Sequence, residues 1–372
     1  MIPLYKVWMS QSIAVPLLTT LHSGFIGEGD KVKEFEKAFA DWLGTDDDVL
    51  ATNSCTSALH LAMHLAKNGN SGGEVLTSPL TCFAGIAAII ANGLRVRWVD
   101  VNFGDGNMNL DDLKRKLSPS TVAIMATHFA GYPNRLDALY DIAYHHNHAW
   151  VIEDCAHCLG SEYEGVKIGS RKPLSSSNSI RCFSFQAVKP LTTVDGGAII
   201  VPRHLYHRAK NLRWYGINRD DRSTPIFESG YKFHMNDVAA TIGLCNLKDL
   251  DGLLKVQEAH RKLLIEKLSA KVRFMHLDWH EICEYNPSCV SRCGVMPIVV
   301  DHKDKFETAM RARGVQVEPP HTMCHKHPCV KQFYEDLPNA DGLEREMTAI
   351  PAGWWLSEVD LDRIVEAVKA GR

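Results

Sequence analysis

Between residues 49 and 154, short apolar runs alternate with helix-like segments, and that alternation leaves few folds open. Residues 49–51, 74–77, 96–100, 122–127 and 149–154 read as strands, and 58–66, 84–91, 107–117 and 136–145 as helices. Each helix has the length to carry the chain back across a sheet, so the pattern predicts an α/β core on a mainly parallel sheet. Runs 182–185 and 198–201 add further strands.

The flanks are less regular. Residues 1–28 read as an irregular arm, with Pro3, Pro16 and glycine turns. Val32, Phe35, Phe39 and Leu43 then recur near helical spacing, and Gly44 ends that helix. After residue 201 come expected helices at 203–212, 237–250 and 253–269. The last of these leads into a smaller α+β unit, with strands near 272–276 and 294–300 and helices at 303–313 and 358–370. The expected division is a large domain over 1–250 and a small one over 251–372.

Several classes are disfavoured. The net charge is −3, which offers no basic excess for nucleic acid or an anionic membrane. The first residues lack a basic stretch followed by an apolar core. The longest apolar run, 83–91, is about half of the roughly 20 residues a bilayer-spanning helix needs. Eleven scattered cysteines suit reduced thiols better than a disulfide framework. The expectation is a cytoplasmic protein.

The chemistry centres on CFSFQAVKPLTTVDGGAII, residues 182–200. It places Lys189 between two apolar strands. A desolvated lysine has a depressed pKa and becomes a nucleophilic amine able to form a Schiff base; the alternative is an ordinary exposed loop lysine. Upstream, the polar turn from Asn53 to Ser57 joins a strand to a helix. That geometry offers open N–H groups and a positive dipole end to a phosphate, or a plain N-cap. Asp154 ends a strand 35 residues before Lys189, where α/β folds bind ligands.

Ser-Phe-x-x-x-Lys-x-Leu-Thr-Thr-x-x-Gly-Gly resembles the lysine motif of the DegT/DnrJ/EryC1/StrS sugar aminotransferases. "SGFIGEGDKVKEFEKAFADWLG", the turn at 53–57, Glu153-Asp154-x-Ala-His157 and Gly230-Tyr231-Lys232-Phe233-His234-Met235 resemble further motifs of that family, in order. The likeness runs from about residue 10 to 250 and thins beyond. It implies fold type I (aspartate aminotransferase-like), pyridoxal 5'-phosphate as cofactor and a homodimer with shared active sites. The implied reaction moves an amino group from L-glutamate to a keto group of a nucleotide-linked deoxysugar. Lys189 would hold the cofactor and then move protons. Asp154 would face the pyridine nitrogen and keep the ring an electron sink. His157 would lie near the ring hydroxyl, and Thr56, Ser57 and Ser184 would hold the phosphate.

Two positions depart from the family. Cys82 stands where an aromatic ring commonly stacks on the cofactor, with Phe83 one residue later. Lys232 replaces an asparagine that reaches the partner subunit's phosphate; a lysine can still meet a phosphate as a point charge. His321 is implied as a substrate contact. Cys155 and Cys158 form a lone CxxC, and the loop from Cys324 to Cys329 carries zinc-like residue types without the usual paired spacing; no metal is expected. The rival readings are a sugar dehydratase, which Lys189 opposes because those relatives carry His there, a cyclitol aminotransferase, and a non-catalytic cofactor-binding regulator.

Overall fold

A computed structural model describes residues 1–70, 72–146, 148–170, 178–275 and 289–371. Its centre is a seven-stranded sheet. The strands are β1 (Asp48–Thr52), β2 (Glu74–Thr77), β3 (Arg95–Trp98), β4 (Thr121–Thr127), β5 (Trp150–Asp154), β8 (Ser179–Ser184) and β9 (Gly197–Val201); a short hairpin, β6 (Glu162–Tyr163) and β7 (Val166–Lys167), lies outside it. The spatial order is β1-β9-β8-β5-β4-β2-β3. The pairs from β8 through β5, β4 and β2 to β3 are parallel, and β9 runs antiparallel to both its neighbours. Apolar side chains cover both faces, as the near-continuous apolar strands require.

The helices of this part are α1 (Ala14–Leu21), α2 (Asp30–Leu43), α3 (Cys55–Lys67), α4 (Phe83–Ala91), α5 (Leu110–Lys116), α6 (Leu136–His145), α7 (Tyr206–Leu212), α8 (Asp237–Leu247) and α9 (Leu250–Leu268). Helix α2 shows how sequence becomes packing. Its 3.6-residue stripe buries Val32, Phe35, Phe39 and Leu43, and Gly44 at φ 77° closes it. The Phe39 ring stands edge-on to Phe183 and Phe185 at 5.2 and 5.1 Å. Each such buried ring contributes about 1.5–3 kcal/mol.

A second core surrounds the three-stranded sheet of β10 (Arg273–Phe274), β11 (Val295–Val299) and β12 (Met347–Pro351). Helices Lys303–Ala312 and Glu358–Gly371 pack on it. Ile2 belongs to this core and bridges Val315, so the chain's first residues are stitched to its last third. Of the strand expected at 272–276, residue 276 lies outside the described residues.

Two expectations need correction. The arm at 1–28 is not irregular throughout: α1 forms there, because Pro16 falls in the first turn, where no helical N–H is lost. Of the helices expected at 237–250 and 253–269, the first, α8, already ends at Leu247 and the second, α9, begins at Leu250, so the break falls at Lys248-Asp249.

Candidate active site

The site lies at the carboxyl ends of the central parallel strands. Asp154 is the last residue of β5 and is buried. Ser184 ends β8. The hairpin between β8 and antiparallel β9 carries Lys189. Its shape is held by Thr192, which donates to Phe185 O and accepts from Val194 N, and by Thr193 N donating to Phe185 O. Across from it, Ser54 caps α3 by accepting from Ser57 N at 3.1 Å. A helix start leaves its first amides without helical acceptors, so those of Cys55 and Thr56 are open to a ligand.

Gly197 makes this closeness possible. A Cβ there would stand 2.5 Å from Cys55 N and 2.6 Å from Ser54 C. Strand β9 therefore lies directly under the turn before α3, where only a glycine fits.

Together these elements enclose a cleft of about 280 Å³ lined by Thr56, Cys82, Asp154, His157, Ser184, Lys189 and His321. Ser57 and Lys232 are not among its lining residues. The Ser57 hydroxyl donates to Asn53 Oδ1 at 2.6 Å and so serves the turn itself. Lys232 is exposed, with Nζ 4.9 Å from the Trp214 ring centroid. Cys82 faces the cleft as the N-cap of α4, whereas the Phe83 ring stands edge-on to His327 at 5.3 Å. Tyr5, Gln186 and Asp195 also line the cleft. No motif pointed to Tyr5, whose place depends on the pairing of residues 2–4 with 314–316.

The electrostatics follow from burial. Desolvation pushes the Lys189 amine below its ordinary range, against the pull of Cys293 and Asp154. Desolvation raises the Asp154 carboxyl, partly offset by the Ala156 N–H, which donates to Oδ1 at 3.1 Å, and by Lys189. Burial, Lys189 and His321 push His157 well below the usual histidine value. Burial and Lys189 bring His321 to about 4. His157 Nδ1 accepts from Ala130 N at 3.4 Å, so its proton sits on Nε2.

The cysteine–histidine groups do not form obvious metal centres. Cys324 Sγ donates to Thr81 O, His325 pairs with Asp341 at 3.3 Å, and Cys329 is exposed, so that loop spreads its donors apart. Among the described residues, His128, Cys155 and Cys158 come close enough to hold an ion. Both nitrogens of His128 are already engaged: Nδ1 accepts from Asn134 N at 3.1 Å and Nε2 donates to Glu153 at 3.0 Å. No lone pair is left there for a metal.

A mainly parallel sheet presenting a half-buried lysine, a strand-end carboxylate and a phosphate-ready helix start defines a pyridoxal-phosphate enzyme of fold type I. Residues 9–369 match the model of the DegT/DnrJ/EryC1/StrS aminotransferase family, and the chain belongs to that family, whose members are PLP-dependent sugar aminotransferases. It is 30% identical to the UDP-4-amino-4,6-dideoxy-N-acetyl-beta-L-altrosamine transaminase of Campylobacter jejuni, over 98% of this chain and 97% of that one. It is also 30% identical to the spore coat polysaccharide biosynthesis protein SpsC of Bacillus subtilis, over 94% and 92%. Among solved structures, sugar aminotransferase CalS13 from Micromonospora echinospora superposes with a TM-score of 0.92 at 34% identity, covering 100% of both chains. AtS13 from Actinomadura melliaura gives 0.92 at 35%, covering 100% and 99%.

The residues present fit the family's cofactor. The cleft joins a backbone cradle that a Cβ at position 197 would fill, a buried carboxylate with room for a cationic partner, and an amine held toward its neutral form.

Proposed function

We propose that the protein transfers an amino group from L-glutamate to a keto group of a nucleotide-linked deoxysugar. The observation that carries this reading is the convergence of Lys189, Asp154, Thr56 and Ser184 on one cleft. Pyridoxal phosphate, when bound, supplies the electron sink for moving the amino group. Thr56, Ser184 and the first amides of α3 would hold its phosphate. Asp154 would keep the pyridine nitrogen protonated, and His157 Nε2–H would donate to the ring hydroxyl. Cys82 would lie against the ring as a thinner contact than an aromatic side chain. Lys189 would hold the cofactor and, once freed, move the proton at the reacting carbon; its burial suits it to act as a base.

The nucleotide-sugar acceptor is supported by the name of the Campylobacter jejuni relative. His321 would contact the substrate. A homodimer is supported by the exposed apolar side of α1, where Val15 and Leu18 are 74% and 55% exposed, and by Phe227 at 85%. In such a dimer Lys232 would reach the partner's phosphate. The described cysteines are all free thiols, which suits the reducing cytoplasm.

The test is spectroscopic and then catalytic. Purified protein loaded with the cofactor should absorb in the visible, and glutamate should bleach that band. A screen of 4-keto and 3-keto nucleotide sugars should then find turnover that Lys189→Ala abolishes. Turnover surviving that change would overturn the mechanism; a colourless protein would overturn the reading. A bound cofactor indifferent to glutamate would favour the dehydratase or the regulator, and turnover of a cyclitol ketone alone would favour that acceptor.

A further inference from the structure

Past Lys189, on the side away from the helix start, the cleft continues into a second, narrower lobe of about 30 Å³. Lys189, His157 and Tyr5 line both lobes. The first contains two acids, Asp154 and Asp195; among the described residues, none of those lining the second is an acid. The nearest carboxylate felt by Tyr5, Glu318, is exposed and does not line it.

The second lobe is rich in hydrogen-bond donors. Lys6 is exposed, and its ammonium lies 5.7 Å from the Trp354 ring centroid. No carboxylate among the described residues pairs with it. The neighbouring tryptophans use their indole N–H groups: Trp8 donates to Asp249 Oδ2 at 3.1 Å and Trp355 to Pro3 O at 3.0 Å. The indole N–H of Trp354 finds no acceptor among the described residues, and the Tyr5 hydroxyl is likewise without a partner. Desolvation pushes the Tyr5 phenol above its ordinary value, so it stays a donor.

The wall is built rather than incidental. Trp355 lies so close over Gly353 that a Cβ there would meet its ring at 1.8 Å. Buried Arg261 donates to Val295 O at 2.8 Å and Cys293 O at 3.2 Å, clamping the strand entry that faces Lys189. Tyr5 and Lys6 follow a segment fixed by Ile2 N donating to Gly314 O at 2.7 Å. A cation held on an indole face, with unspent N–H and O–H donors and no acid lining the lobe, selects for an oxyanion.

We propose that Lys6 and Trp354 form an anion subsite at the mouth of this lobe, receiving a charged oxygen group of the substrates. This rests on the aminotransferase reading. Two substrates could bring the group: the diphosphate of the acceptor, which would lie across the rim, or a carboxylate of the amino donor, which is small enough to enter. Each keeps the reacting carbon beside Lys189.

Calorimetric titration of the cofactor-loaded protein tests it, with UDP, dTDP and GDP in one arm and glutarate in the other. Lys6→Met should weaken binding roughly tenfold in at least one arm, as expected for the loss of one charge-assisted contact, and Lys6→Arg should restore most of it. Trp354→Ala should weaken the same arm and Trp354→Phe less so. Thermal melting of each variant checks that the fold is kept. If a tryptophan variant fails to fold, the two substitutions at exposed Lys6 decide between the outcomes. Weakening with the nucleotides identifies the diphosphate, and weakening with glutarate the donor carboxylate. Unchanged affinities in both arms, or no binding of any probe at millimolar concentration, would overturn the proposal. The readout is heat, so the two readings fail separately. Turnover with unchanged Lys6→Met titrations sinks this subsite alone. Lys6-dependent binding without any response to glutamate sinks the aminotransferase alone.

Discussion

The imidazole rings of His157 and His321 lie parallel, 9° apart in plane and 5.4 Å between centroids, at the edge of the cleft that holds Lys189. One follows β5, and the other comes from a loop more than 160 residues later. Each stays neutral because burial and the nearby amine oppose a second positive charge.

That neutrality sets a pH dependence. The unfolded chain takes up a proton at each histidine near the ordinary value of 6.5, whereas folded His321 resists until about 4. Unfolding therefore binds protons in that window, and stability falls as pH drops from about 6.5 toward 4. Urea denaturation should show a lower midpoint at pH 5 than at pH 7, and His321→Gln should narrow the difference. An identical difference in the variant would count against His321 as a contributor.

Gly197→Ala forces a methyl group into the backbone of Ser54 and Cys55. Backbone cannot yield as a side-chain tip can, so a loss of about 2–3 kcal/mol is expected. The same shift opens the helix start, so the variant should lose its visible absorbance on dialysis faster than the parent. Retention equal to the parent would show that the cradle does not use this contact.

Val194 adopts φ 74° in the lysine hairpin and is 54% exposed. A β-branched residue is strained there, at about 1–3 kcal/mol, and a glycine is not, although it gives back roughly 0.5–1 kcal/mol in chain entropy. Val194→Gly should raise stability by up to about 1 kcal/mol, read as a higher urea midpoint at unchanged slope. A lower midpoint would mean that the valine's contacts outweigh its strain.

Asp154→Asn keeps the shape of the strand end and removes its charge. Cofactor should still bind, while the glutamate-driven bleaching slows by on the order of 10²-fold or more. Stopped-flow absorbance would measure it; an unchanged rate would remove Asp154 from the chemistry.

Much of this was legible in the chain. The strands of the large sheet announced themselves because parallel strands buried on both faces read as short apolar runs. Lys189 and Asp154 stood out because strand ends fix where such side chains point. Other features depended on distant partners. Helix α1 was hidden by Pro16, which looks like a breaker until its first-turn position is known. Helix Pro338–Glu346 and β12 went unseen, since Met347–Pro351 has no alternation and ends in a proline. Thr56 and Ser57 were indistinguishable as hydroxyls; helix geometry sends the first to the cleft and the second to Asn53.

The stitching of the amino-terminal residues also sets a timetable. Leu4 N donates to Gln316 Oε1, 312 residues on, and Pro3 O accepts from Trp355, 352 residues on. A ribosome adds roughly 5–20 residues per second, so Tyr5 waits tens of seconds for the partners that seat it. The lysine, the carboxylate and the helix start can assemble on the nascent chain well before that. The cleft gains its last wall only after residue 355 has been made, so a chain cut short after residue 300 would carry every residue of the lysine hairpin and still present an open-sided site.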